Sequence, residues 1–348
     1  MQSRTFAHLK IRKSLMKNIL FPTLLFGAAL FTSCSNDFEV SAPWKDIPVV
    51  YGLLNIADTA HYIRVEKAFL DPSANALEIA QNPDSLYYDN ALVQLEKVKT
   101  GEVFTLQKVD GTLEGYPRES GVFANVPNWL YKIDSLTLDL HVGDSILLRI
   151  DRGNGLPEVT ASTSIIEPGQ QRKPGGNEPK FSFFYNLPSI IAWSASENAR
   201  VFDVKLDIRY TEYPKDNPAA FEKKSLEWKW GQGVRFENFA TQYQLEKQGI
   251  EFYQVMQNNI PVNPDMKRIF EGIDITIISG GFALEKYINV ALANLGITGS
   301  QEIPAYTNLS EGKGVFSTIN YLVTKNGILV PETRDSLKNG MFTKDLNF

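Results

Sequence analysis

The segment His61-Tyr62-Ile63-Arg64-Val65-Glu66-Lys67 sets Ile63 and Val65 on one side and Tyr62, Arg64 and Glu66 on the other. Period-two alternation of this kind marks a strand with one buried face. Similar runs recur upstream and downstream. Val49-Val50-Tyr51-Gly52-Leu53-Leu54 is a short apolar strand, followed by a turn at Asn55-Ile56-Ala57-Asp58. Ala91 to Val98 and Glu102 to Leu106 flank Lys99-Thr100-Gly101 and read as a hairpin. Ser145 to Ile150 and Val159 to Thr163 complete the set. Short strands at this spacing, separated by turn signals, predict an antiparallel β-sandwich over residues 47–168.

Residues 169–180, rich in Gly, Pro and polar side chains, show no periodic apolar face and read as a linker between two domains. Residues 181–348 are mixed and predict an α+β domain. Phe181 to Tyr213 and Leu226 to Phe236 alternate, Ile273 to Ile278 is a further strand candidate, and Tyr243 to Asn259 and Phe282 to Leu295 read as helices. In the second helix Leu284, Ile288, Ala291 and Leu295 form one stripe, and Gly296 is a suitable stop. The expected fold class is thus mainly β with some α. Apolar content of 43% is ordinary for a globular chain, so sizeable cores are expected.

Residues 1–33 carry Arg4, Lys10, Arg12, Lys13 and Lys17, no acidic residue, and an apolar run from Ile19 to Phe31 broken at Pro22. A basic stretch before a short apolar one is the pattern of a secretory signal, and the run is too short to span a bilayer. Met16-Lys17-Asn18 would serve as an alternative start. The run ends at Thr32-Ser33-Cys34, which resembles the lipobox of bacterial lipoproteins, where the cysteine is diacylglycerylated and becomes the new N-terminus. Cys34 is the single cysteine, so lipidation there leaves no thiol for a disulfide. The competing reading is a buried thiol that happens to follow an apolar segment. Residues 34–46 then form an acylated tether. Within it Ser35-Asn36-Asp37-Phe38-Glu39 is similar to the acidic signal that sends lipoproteins to the cell surface in Bacteroidota, or is simply a flexible acidic tether.

Cleavage removes five cations and no anion, leaving 35 − 5 = 30 basic against 40 acidic residues, a net charge of −10. Such a chain has no electrostatic basis for holding nucleic acid.

Pro48 to Leu54 with Tyr62-Ile63-Arg64-Val65, then Asn90 to Leu95, and last Pro304-Ala305-Tyr306-Thr307-Asn308-Leu309-Ser310-Glu311-Gly312-Lys313-Gly314-Val315-Phe316 together resemble a family of Bacteroidota outer-membrane lipoproteins of unknown function, often encoded near TonB-dependent receptors. The resemblance implies an immunoglobulin-like first domain and an outer-membrane location, and no catalytic residue.

The residues themselves carry little chemistry. His61 and His141 are the histidines left after cleavage, and each reads as a surface or edge residue. Neither paired-His spacing nor a nucleophile elbow occurs, so no metal or cofactor is expected. Gly312-Lys313-Gly314 reads as a turn before the strand beginning at Val315, a phosphate cradle being the weaker alternative. Trp228 and Trp230 share one strand face and fit core packing, a protein interface or a sugar platform. The functional expectation is a non-enzymatic, surface-exposed accessory subunit of an outer-membrane β-barrel complex, either a TonB-dependent transporter or a barrel-assembly or secretion machine. The alternative is a stand-alone glycan- or peptide-binding lipoprotein, for which Trp228 and Trp230 are the candidate ligand or interface residues.

Overall fold

The structure, a computed structural model, describes residues 46–68, 76–176, 178–236, 241–294 and 305–348. Cys34 and the Ser35–Glu39 signal lie outside the described residues. In chain order the strands are β1 (Ile47–Leu54), β2 (Ala60–Ala68), β3 (Leu92–Lys97), β4 (Glu102–Thr105), β5 (Gln107–Asp110), β6 (Trp129–Asp134), β7 (Ser145–Asp151), β8 (Val159–Ser164), β9 (Gln170–Lys173), β10 (Lys180–Phe181), β11 (Pro188–Ser194), β12 (Ala199–Pro214), β13 (Glu222–Val234), β14 (Gln242–Gln248), β15 (Met266–Gly281) and β16 (Lys313–Leu329). The helices are α1 (Ala76–Ala80), α2 (Pro83–Leu86), α3 (Ser135–Leu138), α4 (Ile250–Asn259), α5 (Phe282–Asn294) and α6 (Pro331–Asn339).

A nine-stranded sheet runs β13-β12-β15-β16-β1-β2-β6-β5, with β10 also beside β16. A four-stranded sheet β4-β3-β7-β8 and a three-stranded sheet β14-β11-β9 accompany it. The chain is mainly β with a few helices, and its sheets form sandwich-like layers. The expected hairpin is β3 with β4, closed at Gly101, and β7 pairs antiparallel with β8.

Alternation explains which face each strand buries. On β12, Phe202, Val204, Leu206, Ile208 and Tyr210 are buried, and they meet Ile273, Ile275 and Ile277 of β15 in one core. Val50, Leu54, Ile63, Val65 and Phe316 join Val93, Leu95, Ile146, Leu148 and Ile150 in a second core. Phe316 and Leu322 lie six residues apart on β16 and so share a side; the first faces one core and the second packs against the other. Both cores therefore lie under the same face of the large sheet. Its other face carries α5 and, over β2, the segment that follows β5, and it is exposed at Tyr51, Leu53, Tyr321 and Val323.

Two cores fit the two halves of the chain, yet the halves are not separate domains joined by a linker. β16 pairs parallel with β1, from Val49 beside Lys313 to Leu54 beside Thr318, and antiparallel with β15. One strand thus carries both cores. The expected linker is built into the sheets: β9 pairs with β11, and Lys180-Phe181 pairs with Ile328-Leu329. A 17-residue strand is long enough to serve two cores, a relation that local composition does not encode.

Two more expectations change. Tyr243 to Asn259 is not one helix: Gln242–Gln248 is a strand paired with β11, and the helix begins at Ile250. His61 is not a surface residue. It sits inward on β2 beside Ile63 and Val65, fully buried, while His141 is exposed. The α5 stripe is also weaker than its sequence suggests, since Leu284 and Ile288 are half-buried and Ala291 is exposed.

Candidate interaction face

On β1 the even residues Val50, Gly52 and Leu54 face inward, which turns Tyr51 and Leu53 outward. On β2 the same rule turns Tyr62, Arg64 and Glu66 outward, with Tyr51 beside Arg64 in register. β16 adds Tyr321 and Val323, the loop after β5 adds Tyr116, and α5 adds Tyr287. Tyr51, Leu53, Tyr116, Tyr321 and Val323 are between 37% and 55% exposed, far more than large apolar side chains in the cores. Five tyrosines thus converge on the open face of one sheet.

The rings are held in place. The Tyr51 and Tyr287 hydroxyls lie 3.1 Å apart and their rings meet edge to face at 6.1 Å. The rings of Tyr62 and Tyr116 are 4.9 Å apart. The Tyr62 hydroxyl donates to Glu114 Oε2 at 2.9 Å, and Lys132 Nζ donates to the same oxygen at 2.9 Å. Buried Asn128 ties the face together: Arg64 donates to its Oδ1 at 2.9 Å, and its Nδ2 donates to the Tyr116 carbonyl at 2.7 Å. Glu66 receives both Arg64 and Arg118.

Burial, then the neighbouring Tyr287 hydroxyl and the charge of Glu66, push Tyr51 up to about 12. Tyr62 is raised by burial and by its bond to Glu114, and Tyr321 by burial and by the charges of Asp58 and Tyr116. The Lys132 and Tyr62 hydrogen bonds lower Glu114. At neutral pH the face therefore offers protonated hydroxyls around a fixed carboxylate and its lysine. Such a surface can give and accept hydrogen bonds and stack on apolar groups.

Trp228 and Trp230, the expected ligand or interface residues, are not on this face. They are 6% and 4% exposed, with rings 4.7 Å apart, packed against Phe183 and, for Trp228, Phe252. They belong to the core because their side of β13 is the side that β12 turns inward, with Leu206 beside Trp228. The Gly312-Lys313-Gly314 segment opens β16. A Cβ on Gly314 would lie 1.9 Å from the Val50 carbonyl oxygen, and its φ is +114°. Glycine there lets the strand start against β1. Asn308 holds the same start, accepting from Phe316 N at 3.0 Å and donating to Phe316 O at 2.7 Å.

A cavity of about 340 Å³ lies by the first turn of α5, lined among others by Ser162, Thr163, Arg200, Phe282 and Tyr306. Its side chains include no nucleophile paired with a base. Among the described residues no group of three or more His, Cys, Asp or Glu is placed to hold a metal, and no helix is long and apolar enough to cross a membrane.

The tyrosine face was half legible. Alternation places Tyr62, Arg64 and Glu66 together, but Tyr116, Tyr287 and Tyr321 reach it only through tertiary packing.

No protein-family model matches the chain, and no curated protein matches it. Among solved structures, it has a slight likeness to the C-terminal globular domain of an oligosaccharyltransferase from Pyrococcus abyssi, at 10% identity and a TM-score of 0.24, over 68% of this chain and 46% of that one. Trypsin-activated alpha-2-macroglobulin from Escherichia coli is similar at 10% identity and a TM-score of 0.18, over 68% of this chain and 14% of that one. The chain thus spans less than half the length of either, and at these scores neither likeness bears on what it does.

Proposed function

We propose that this protein is an outer-membrane lipoprotein, anchored through Cys34 and displayed on the cell surface, that acts as a non-enzymatic accessory subunit of an outer-membrane β-barrel complex. The observation that carries the reading is the open face of the large sheet, where Tyr51, Leu53, Tyr116, Tyr321 and Val323 stand exposed around a fixed polar network. Exposed tyrosines on rigid strands are the composition of an interface rather than of an ordinary solvated surface. Lipid attachment confines the protein beside a membrane partner and raises its effective concentration without strong contacts. A TonB-dependent transporter or a barrel-assembly or secretion machine is the partner class in view.

The test is affinity capture of the full-length chain from detergent-solubilised outer membranes after in-cell crosslinking. Recovery of a β-barrel protein, lost in a Y51A/Y321A chain of unchanged folding, supports the reading; capture of no barrel protein by the unaltered chain overturns it. Protease shaving of intact cells, with a periplasmic control, tests the surface location separately.

A second reading has one observation of its own. Tyr62 and Tyr116 lie beside Glu114 and Lys132, which is stacking surface next to hydrogen-bonding groups, as a stand-alone glycan- or peptide-binding protein would need. Direct binding of purified chain to surface glycans, abolished by Tyr116→Ala, would favour it.

A further inference from the structure

The large sheet ends on one side in β13, a 13-residue strand whose one neighbour in the sheet, among the described residues, is β12. Among the described residues no backbone group of Glu222–Val234 is hydrogen-bonded on the side away from β12. The opposite edge, β5, is four residues long. Proteins usually shorten, bulge, cover or charge a long free edge, most often with lysine, because it is a ready template for another strand; the lysines of β13 stand among glutamates, so a strand of complementary charge pattern can still pair with it. β13 is regular from Glu222 to Lys229, where it pairs residue for residue with Glu212 to Lys205, and the irregularities in its pairing fall beyond that stretch. It contains no proline.

We infer that this edge pairs with a second copy of the same chain, antiparallel, about a two-fold axis at Ser225. Strand parity and charge select that register. Paired residues must lie on the same face, so the axis falls on a residue, not between two. With Ser225 on the axis, Lys223 stands opposite the partner's Glu227, twice by symmetry. Phe221, an exposed aromatic, comes to lie opposite the stem of the partner's Lys229. An axis at Leu226 would oppose Lys223 to Lys229, one at Glu227 would oppose two glutamates, and one at Lys224 would oppose two lysines. An axis at Trp228 would carry the pairing into the irregular stretch. Within the regular part of the strand, the axis at Ser225 opposes unlike charges and no like ones.

The charges on the edge fit this arrangement. Lys223 forms no ion pair among the described residues; its neighbour across β12 is Thr211. Glu227 is held extended by Lys205 at 2.9 Å and is partly exposed, so its second oxygen can accept from another lysine. The sheet of the dimer continues across the axis with both tyrosine faces on the same side, so pairing leaves the proposed interaction face of each copy open.

The test uses the full-length chain in detergent, followed by sedimentation with the detergent mass matched out, and a disulfide probe. The unaltered chain runs as a dimer, Lys223→Glu weakens the dimer at least about tenfold by setting like charges opposite each other, and K223E/E227K restores it. Ser225→Cys forms an intermolecular disulfide on oxidation, because residues facing each other across an antiparallel pair lie about 4.5–5.5 Å apart at Cα. Lys223→Cys and Glu227→Cys do not, since each stands four residues from its own copy. Thermal unfolding of each variant checks that these exposed positions leave the fold intact. A monomeric unaltered chain overturns the inference and leaves the edge to a different protein. So does a dimer that Lys223→Glu leaves unchanged, or crosslinking that is equal at the three positions.

Discussion

The Asp46 carboxylate meets the Arg152 guanidinium at 2.6 Å, directly before β1 begins. The Tyr88 hydroxyl donates to the same Asp46 oxygen at 2.5 Å, Glu311 takes the other arm of the arginine at 2.5 Å, and the Pro157 carbonyl accepts from it at 2.9 Å. Arg152 is 1% exposed at its side chain. The cluster joins the residue before β1, the strand pair β7–β8 and the loop before β16, so it ties three distant parts of the chain together. Burial, then the hydrogen bond to Asp46, drives the Tyr88 hydroxyl well above its ordinary value, which keeps it a donor at all physiological pH.

Arg152→Ala should therefore leave the Asp46 carboxylate buried with only Tyr88 to answer it. Breaking a buried ion pair from one side typically costs about 3–5 kcal/mol. Urea unfolding of the variant at neutral pH should show a loss of that order. A loss under about 1 kcal/mol would mean that water reaches the cluster.

The start of β16 should be equally sensitive. Gly314→Ala places a methyl against the Val50 carbonyl at a positive φ, which should cost about 3 kcal/mol or more through strain and lost pairing with β1. Asn308→Ala removes the two bonds to the Phe316 backbone and should cost about 1–3 kcal/mol. Both losses read out as lower midpoints in urea. Because β16 carries both cores, the transition should remain single in each variant rather than split into two.

Trp228→Ala should behave as a core deletion, costing about 3–5 kcal/mol, and any loss of binding should track loss of fold. Tyr116→Ala on the half-exposed loop removes one ring pair with Tyr62 and should cost about 1 kcal/mol. Melting curves of the two variants side by side would separate the core residue from the surface one.

How much of this could be seen in the sequence depends on the range of the interaction. The strands at Val49–Leu54, His61–Lys67, Ala91–Leu106 and Ser145–Thr163 were legible because alternation is local and one face of each is buried. The burial of Trp228 was one of three readings, since periodicity gives a shared face and not its direction. His61 escapes a local reading for a related reason: histidine is ordinarily half-exposed, and only its register with Ile63 and Val65 puts it inside. The parallel pairing of β1 with β16 joins residues more than 250 positions apart, and no local pattern announces it. Composition alone marks residues 169–180 as a boundary, whereas the fold connects its halves through β16. Likewise the tyrosine face gathers residues from β1, β2, α5, β16 and a loop, and of these alternation marks only the side that Tyr62 shares with Arg64 and Glu66.

His61 gives the chain a pH dependence with a definite sign. Burial lowers its pKa, against the attraction of Asp58, and its Nδ1 has no hydrogen-bond partner among the described residues. The unfolded chain, with an ordinary histidine titrating near about 6.5, therefore binds the proton more readily than the folded one. Stability is fully present above that ordinary range and is lost as pH falls from it toward the lowered folded value. Asp58 acts in the opposite sense, since burial raises it, but its effect falls in the lower, carboxylate range. The free energy of unfolding should therefore decline on going from neutral to mildly acidic pH, and His61→Gln should flatten that decline while lowering stability at neutral pH. Urea titrations at a series of pH values check it. An unaltered chain whose stability is level across the histidine range, or a decline that His61→Gln leaves in place, would assign the proton to another group.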